Sequence, residues 1–204
     1  MKAVDAQAQV IANLAKAASG RANGQLVGAF GERAVEAELL RRGWVTANIN
    51  ASIRNVKDFD LFALKNDRSL HIRVKACSPN EDMQFSSRKA QEITFDGIAG
   101  TDFTVVVRMG STRNEDRFYI VPTRVVLQAL DEHRRASLAR GVKDEGHWVL
   151  KWRGRRDGQS QPNYGFEKKW EKYLDRWDRL DGIDERDEVA AQMTPAQIAE
   201  AKPF

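Results

Sequence analysis

The sequence predicts an α/β domain over residues 23 to about 125, with helical segments on either side of it. Three observations predict it. Apolar residues recur at intervals of three and four ahead of Gly43, short β-type runs then follow between turn signals, and one of those runs alternates strictly between apolar and polar side chains.

The elements follow in order. Residues 3 to 18 are rich in Ala, carry Val10, Ile11 and Leu14 at helical spacing, and stop at Ser19-Gly20, which predicts a first helix. Val27, Phe30, Ala34 and Ala37, joined by Leu26, Leu39 and Leu40, predict a second and longer helix closed by Gly43. Trp44 to Ala47 opens an extended segment. Asp60 to Leu64 and Leu70 to Ala76 flank a Lys-Asn-Asp-Arg-Ser turn and predict a β-hairpin. Phe103 to Met109 and Arg117 to Val121 predict a second hairpin around a polar loop, ended by Pro122. Thr123 to Leu138 has helical spacing, and His147 to Trp152 is a further strand candidate. Phe166, Trp170, Tyr173, Trp177 and Leu180 follow intervals of three and four and predict one closing helix with a single apolar stripe.

A chain of 204 residues accommodates one domain with extensions. The expected division is an N-terminal helix and linker over 1–22, an α/β core over 23–152, and a loop with a helical extension over 153–204. No run approaches the roughly 18 apolar residues of a membrane span, and the N-terminus lacks an uninterrupted apolar secretory core. A cytoplasmic protein is therefore expected. The single Cys77 excludes an intrachain disulfide and a cysteine-based zinc site, and an inert buried thiol is expected there. A formal charge of +4 is compatible with polyanionic partners without requiring them.

The candidate chemistry lies in the first hairpin. Alternation puts His71, Arg73 and Lys75 on one face of their strand and Leu70, Ile72, Val74 and Ala76 on the other. Asp60 starts the partner strand, so the hairpin brings a carboxylate beside the Lys75 end. An acid and an amine so placed suit phosphodiester hydrolysis: the carboxylate holds Mg²⁺, and the ammonium orients water and offsets developing charge. A cross-strand ion pair is the structural alternative. Glu32 read alone is a solvated helical charge, and His71 read alone is a structural strand histidine. Trp170, Tyr173 and Trp177 are expected in the core, and Arg41 and Arg42 as partners of a helix C-terminus.

Four stretches together resemble the PD-(D/E)XK nuclease superfamily, in its restriction-endonuclease-like and Holliday-junction-resolvase-like branches. Gly28 to Val35 followed by Leu39 to Trp44 resembles the family's first core helix, and Asp60 to Ala63 its metal-binding aspartate at a strand start. Ile72-Arg73-Val74-Lys75 resembles the strand carrying the (D/E/Q)-X-K element. Phe103 to Val107 and Phe118 to Pro122 resemble the later core strands. The resemblance implies a restriction-endonuclease-like mixed central sheet flanked by helices. It implies a metal-dependent endonuclease acting on nucleic acid, DNA above all, with Glu32, Asp60 and Lys75 catalytic. Asp60, Glu32 and the Val74 carbonyl would hold Mg²⁺, with Mn²⁺ as a substitute.

One position departs from that pattern. Arg73 stands where the family places Glu, Asp or Gln, and a guanidinium cannot ligate a cation. Either Asp60, Glu32 and the Val74 carbonyl still hold a hydrated ion, with Asp58 as the candidate for the missing oxygen, or Arg73 binds phosphate on a site without metal chemistry. Lys151, Arg153, Arg155 and Arg156 interleave with Trp152, a pattern that suits phosphate contacts with base stacking and equally a solvated basic loop. An inactive nucleic-acid-binding relative and a protein-interaction module are the alternatives to a nuclease, and each leaves room for a homodimer.

Overall fold

The computed structural model describes residues 20–49, 59–78, 84–87, 99–144, 148–154 and 163–182. The expected first helix, Asp58, Arg155 and Arg156 lie outside them. Helix α1 runs Gly20–Arg41, and the chain turns at Gly43, whose φ of 80° a side chain would resist. Strands β1 (Val45–Asn48), β2 (Leu61–Lys65) and β3 (Arg68–Cys77) form an antiparallel meander. The β2–β3 hairpin closes through Asn66, at φ 55°, and Asp67, a two-residue turn tighter than the predicted one.

Strand β4 (Gln84–Ser87) leaves this sheet, and β5 (Asp102–Arg108) returns to lie parallel to β3. Strand β6 (Arg117–Pro122) completes the second hairpin, giving one mixed sheet in the order β1-β2-β3-β5-β6. Helix α2 (Thr123–Leu138) follows, and β7 (Trp148–Lys151) pairs with β4 in a separate two-stranded sheet. This is the expected α/β architecture, a mixed central sheet flanked by helices. The β4–β7 sheet was not predicted; Gln84-Phe85-Ser86-Ser87 has one apolar residue and no run to signal it.

Two cores cover opposite faces of the large sheet. On one, Val35 and Leu39 of α1 pack on Leu70, Ile72 and Val74 of β3 and on Val105 and Ile120. Gly31 allows this approach, because a Cβ there would fall 2.4 Å from the Ala76 Cβ. On the other face, Val126 and Leu130 of α2, Leu150 of β7 and Phe85 of β4 pack on Val106, Tyr119 and Val121. The predicted stripe of α1 is displaced: Leu26, Phe30 and Leu40 are exposed, while Ala34, Val35 and Leu39 face the sheet.

The C-terminal stripe is buried as expected, but not on one helix. Helix α3 covers only Phe166–Lys169, followed by 3₁₀ turns at Glu171–Tyr173 and Trp177–Asp181. Between them Leu174 bridges to Tyr119, Asp175 takes φ 53°, and its N–H donates to the Phe118 carbonyl at 2.7 Å. These edge contacts with β6 outweigh helical continuity, and Trp170 and Tyr173 enter one core while Trp177 and Leu180 enter the other.

Candidate active site

Register builds the site. Leu61 pairs with Ile72, so the next residue outward, Asp60, stands opposite Arg73 and shares its face. Strand β5 continues the rows: Thr104 lies opposite Arg73, Val106 opposite Lys75, and Asp102 opposite His71. Asp60, His71, Arg73 and Lys75 therefore lie on one face, in neighbouring rows, at the end of β2.

Strand β2 pairs with β3 only as far as Ile72 and leaves Arg73 to Cys77 beyond its end. The Asp60 N–H still donates to the Ile72 carbonyl at 2.9 Å, and the Asp60 carbonyl accepts from the Ile49 N–H. Beyond that point the β3 edge has no strand partner among the described residues, and the Asp60 side chain substitutes for one: Oδ2 accepts the Val74 N–H at 2.6 Å. This bond fixes the carboxylate at the sheet edge. Because a strand residue's N–H and C=O point the same way, the Val74 carbonyl leaves the edge on the Asp60 side.

Lys75 stands where the uncovered part of this face meets the covered part. Arg73, one row nearer the β2 end, is exposed, whereas Cys77, one row farther, is buried in the α2-side core. Thr104, beside Arg73, is buried against the start of α2, its hydroxyl 3.1 Å from that of Thr123. Burial holds the Lys75 amine below its ordinary value of 10.5; the Arg73 cation pushes the same way, and Asp60 opposes them.

Glu32 approaches from the other face. It differs from its helical neighbours: Glu36 pairs with Arg33 and Glu38 with Arg41 and Arg42, while Glu32 Oε2 accepts from Asn48 Nδ2 at 3.1 Å. Asn48 stands opposite Leu61, next to Asp60, so Glu32 is directed to the β2 end of the sheet. Among the described residues no three His, Cys, Asp or Glu side chains converge as a metal cluster. The Asp60 carboxylate and the Val74 carbonyl meet at this sheet edge, while the Glu32 carboxylate lies at the same end of the sheet on its opposite face. This hard donor set suits Mg²⁺ or Mn²⁺ retaining several waters, and the Arg73 cation beside it works against cation affinity.

Lys151 ends β7 in the second sheet, paired with Gln84, and Arg153 follows it, its carbonyl accepting the Gly165 N–H at 3.1 Å. Trp152 between them is fully buried against Tyr119, Phe85 and Trp170, which removes it as a stacking platform for bases. Arg42 lies over the Trp177 ring at 4.6 Å as well as on Glu38, a packing role beyond the helix terminus. Cys77 is buried, as expected. The residue that sequence reading set aside is His71, whose pairing with Asp102 depends on the parallel β3–β5 register and has no local signal.

No family model matches the chain, and no curated protein matches it by sequence. Among solved structures it is similar to a bacterial homing endonuclease, I-Ssp6803I, at 18% identity and TM-score 0.43, over 81% of this chain and 96% of that one. It is also similar to the Holliday junction resolvase Hjc of Archaeoglobus fulgidus, at 16% identity and TM-score 0.35, over 60% of this chain and 82% of that one. No described helix is long and apolar enough to cross a membrane.

Proposed function

We propose that this protein is a Mg²⁺-dependent deoxyribonuclease of the PD-(D/E)XK type, hydrolysing phosphodiester bonds at the Asp60–Lys75 end of the sheet. The observation that carries this reading is the Asp60 carboxylate anchored on the Val74 N–H at 2.6 Å, on the face that Arg73 and Lys75 share. Asp60, Glu32 and the Val74 carbonyl would hold the metal. When bound, it supplies Lewis acidity toward the phosphate and lowers the pKa of nearby water.

The chain's own groups do the rest. Arg73, exposed and permanently charged, offers a fork to a non-bridging phosphate oxygen. Lys75, with its amine held below the ordinary range by burial, is suited to orienting the attacking water and accepting its proton. Lys151, Arg153, Arg155 and Arg156 would contact phosphates flanking the scissile bond. Arg73 also favours a second reading, a nucleic-acid-binding protein without cleavage, because it occupies a ligand position with a cation.

Plasmid, single-stranded and branched DNA incubated with Mg²⁺ or Mn²⁺ separate the two readings. The nuclease reading expects cleavage, reduced by about 100-fold or more in Asp60→Asn and Lys75→Ala. Salt-sensitive DNA binding without cleavage under any of these conditions would favour the second reading. Neither binding nor cleavage would leave a protein-interaction module.

A further inference from the structure

Resting on that reading, we infer that His71 is a catalytic residue which donates a proton to the leaving oxygen of the scissile phosphodiester, with Asp102 as its positioning residue. Three contacts fix the imidazole. Its Nδ1–H donates to Asp102 Oδ1 at 2.9 Å, the Phe59 ring stacks on it at 4.6 Å and 25°, and the Phe62 ring lies 5.7 Å away. Asp102 is itself held, its Oδ2 accepting the Ala99 N–H at 2.7 Å, and its side chain is only 12% exposed. The histidine side chain is 44% exposed, and among the described residues its Nε2 has no hydrogen-bond partner. A partly exposed ring with one nitrogen tied to a carboxylate and the other making no hydrogen bond among the described residues is arranged for proton transfer.

Its place in the row order supplies the role. Attacking and leaving oxygens lie on opposite sides of phosphorus in an in-line displacement, so the groups serving them must flank the phosphate anchor. Arg73 is that anchor. Lys75 lies two residues to one side and His71 two residues to the other, a span of about 13 Å between the outer Cα atoms at a rise of ~3.3 Å per residue. In the step, the water oxygen forms a bond to phosphorus and passes its proton to the Lys75 amine, which has released its own proton to solvent beforehand. The phosphorus–oxygen bond on the far side breaks, its electron pair staying on the departing sugar oxygen, which takes the Nε2 proton of the His71 imidazolium. Solvent exchange restores both groups.

The test compares two oligonucleotides at the mapped cleavage position, one with the natural bridging oxygen and one with sulfur in its place at the leaving position, with the same divalent ion throughout. A thiolate leaves without protonation, so an acid becomes dispensable. His71→Phe, which preserves stacking on Phe59, is expected to cut the oxygen substrate about 100-fold or more slowly and the sulfur substrate within about threefold of wild type. Asp102→Asn should show the same rescue, and Lys75→Ala should stay slow on both. Equal slowing of His71→Phe on both substrates, or none on either, overturns the inference while leaving the nuclease reading intact. Absence of cleavage by wild type, or full activity of Lys75→Ala, overturns the nuclease reading and this role with it.

Discussion

Lys75 concentrates the energetic tension of the site. Its amine is partly buried beside Arg73, so the folded chain binds fewer protons there than the unfolded chain between the depressed value and 10.5. Stability therefore rises with pH across that window, and below it the charged amine is a burden on the fold. Lys75→Met, measured without divalent ions, should raise stability on the order of 1 kcal/mol near neutral pH by thermal or denaturant unfolding. That gain should shrink as pH approaches 10.5, and a stability loss at neutral pH would contradict the account. The alternation of His71, Arg73 and Lys75 was legible because a strand's period of two is written directly in the residues. The Asp60 bond to Val74 was not, since it depends on β2 ending where it does. Nothing near His71 in the sequence signals its pairing, because Asp102 lies far along the chain and meets it only through parallel pairing.

At the scale of elements, α1 positions Glu32 only as long as Gly31 lets it sit down on β3. Gly31→Ala puts a methyl 2.4 Å from the Ala76 Cβ, whereas Gly28→Ala meets open space. Denaturant unfolding should find Gly31→Ala less stable by about 1–3 kcal/mol and Gly28→Ala more stable by roughly 0.5–1 kcal/mol. Equal effects at the two glycines would mean the helix does not rest on Ala76. Helix α1 was legible in extent and partly misread in face, because its apolar residues are spread around the axis rather than gathered in one stripe, so Leu26, Phe30 and Leu40 compete with Val35 and Leu39. The C-terminal stripe shows the opposite case. Its burial was legible, but no Gly or Pro between Phe166 and Asp181 marks where helix gives way to edge contacts with β6.

Across the molecule, the face of the large sheet that carries Asp60 and Lys75 is divided. Helix α2 and the β4–β7 sheet cover β5, β6 and the Cys77 end of β3, while Val45 on β1 and its partner Leu64 on β2 remain 69% and 43% exposed. Asp60, Arg73 and His71 belong to the open part, and Lys75 to the boundary. A polyanion can reach that boundary from the open side, and the amine there is still dehydrated enough to be depressed. The order of strands and helices was legible because each run has its own punctuation; the second sheet, built from a four-residue strand on each side, was not. The central claim is that the Asp60 end of β2 is a cation site beside an amine. Anomalous scattering from crystals soaked in Mn²⁺ tests it most directly. The account predicts a peak against the Asp60 carboxylate and the Val74 carbonyl that disappears in Asp60→Ala, and a peak found only elsewhere, or none at all, would contradict it.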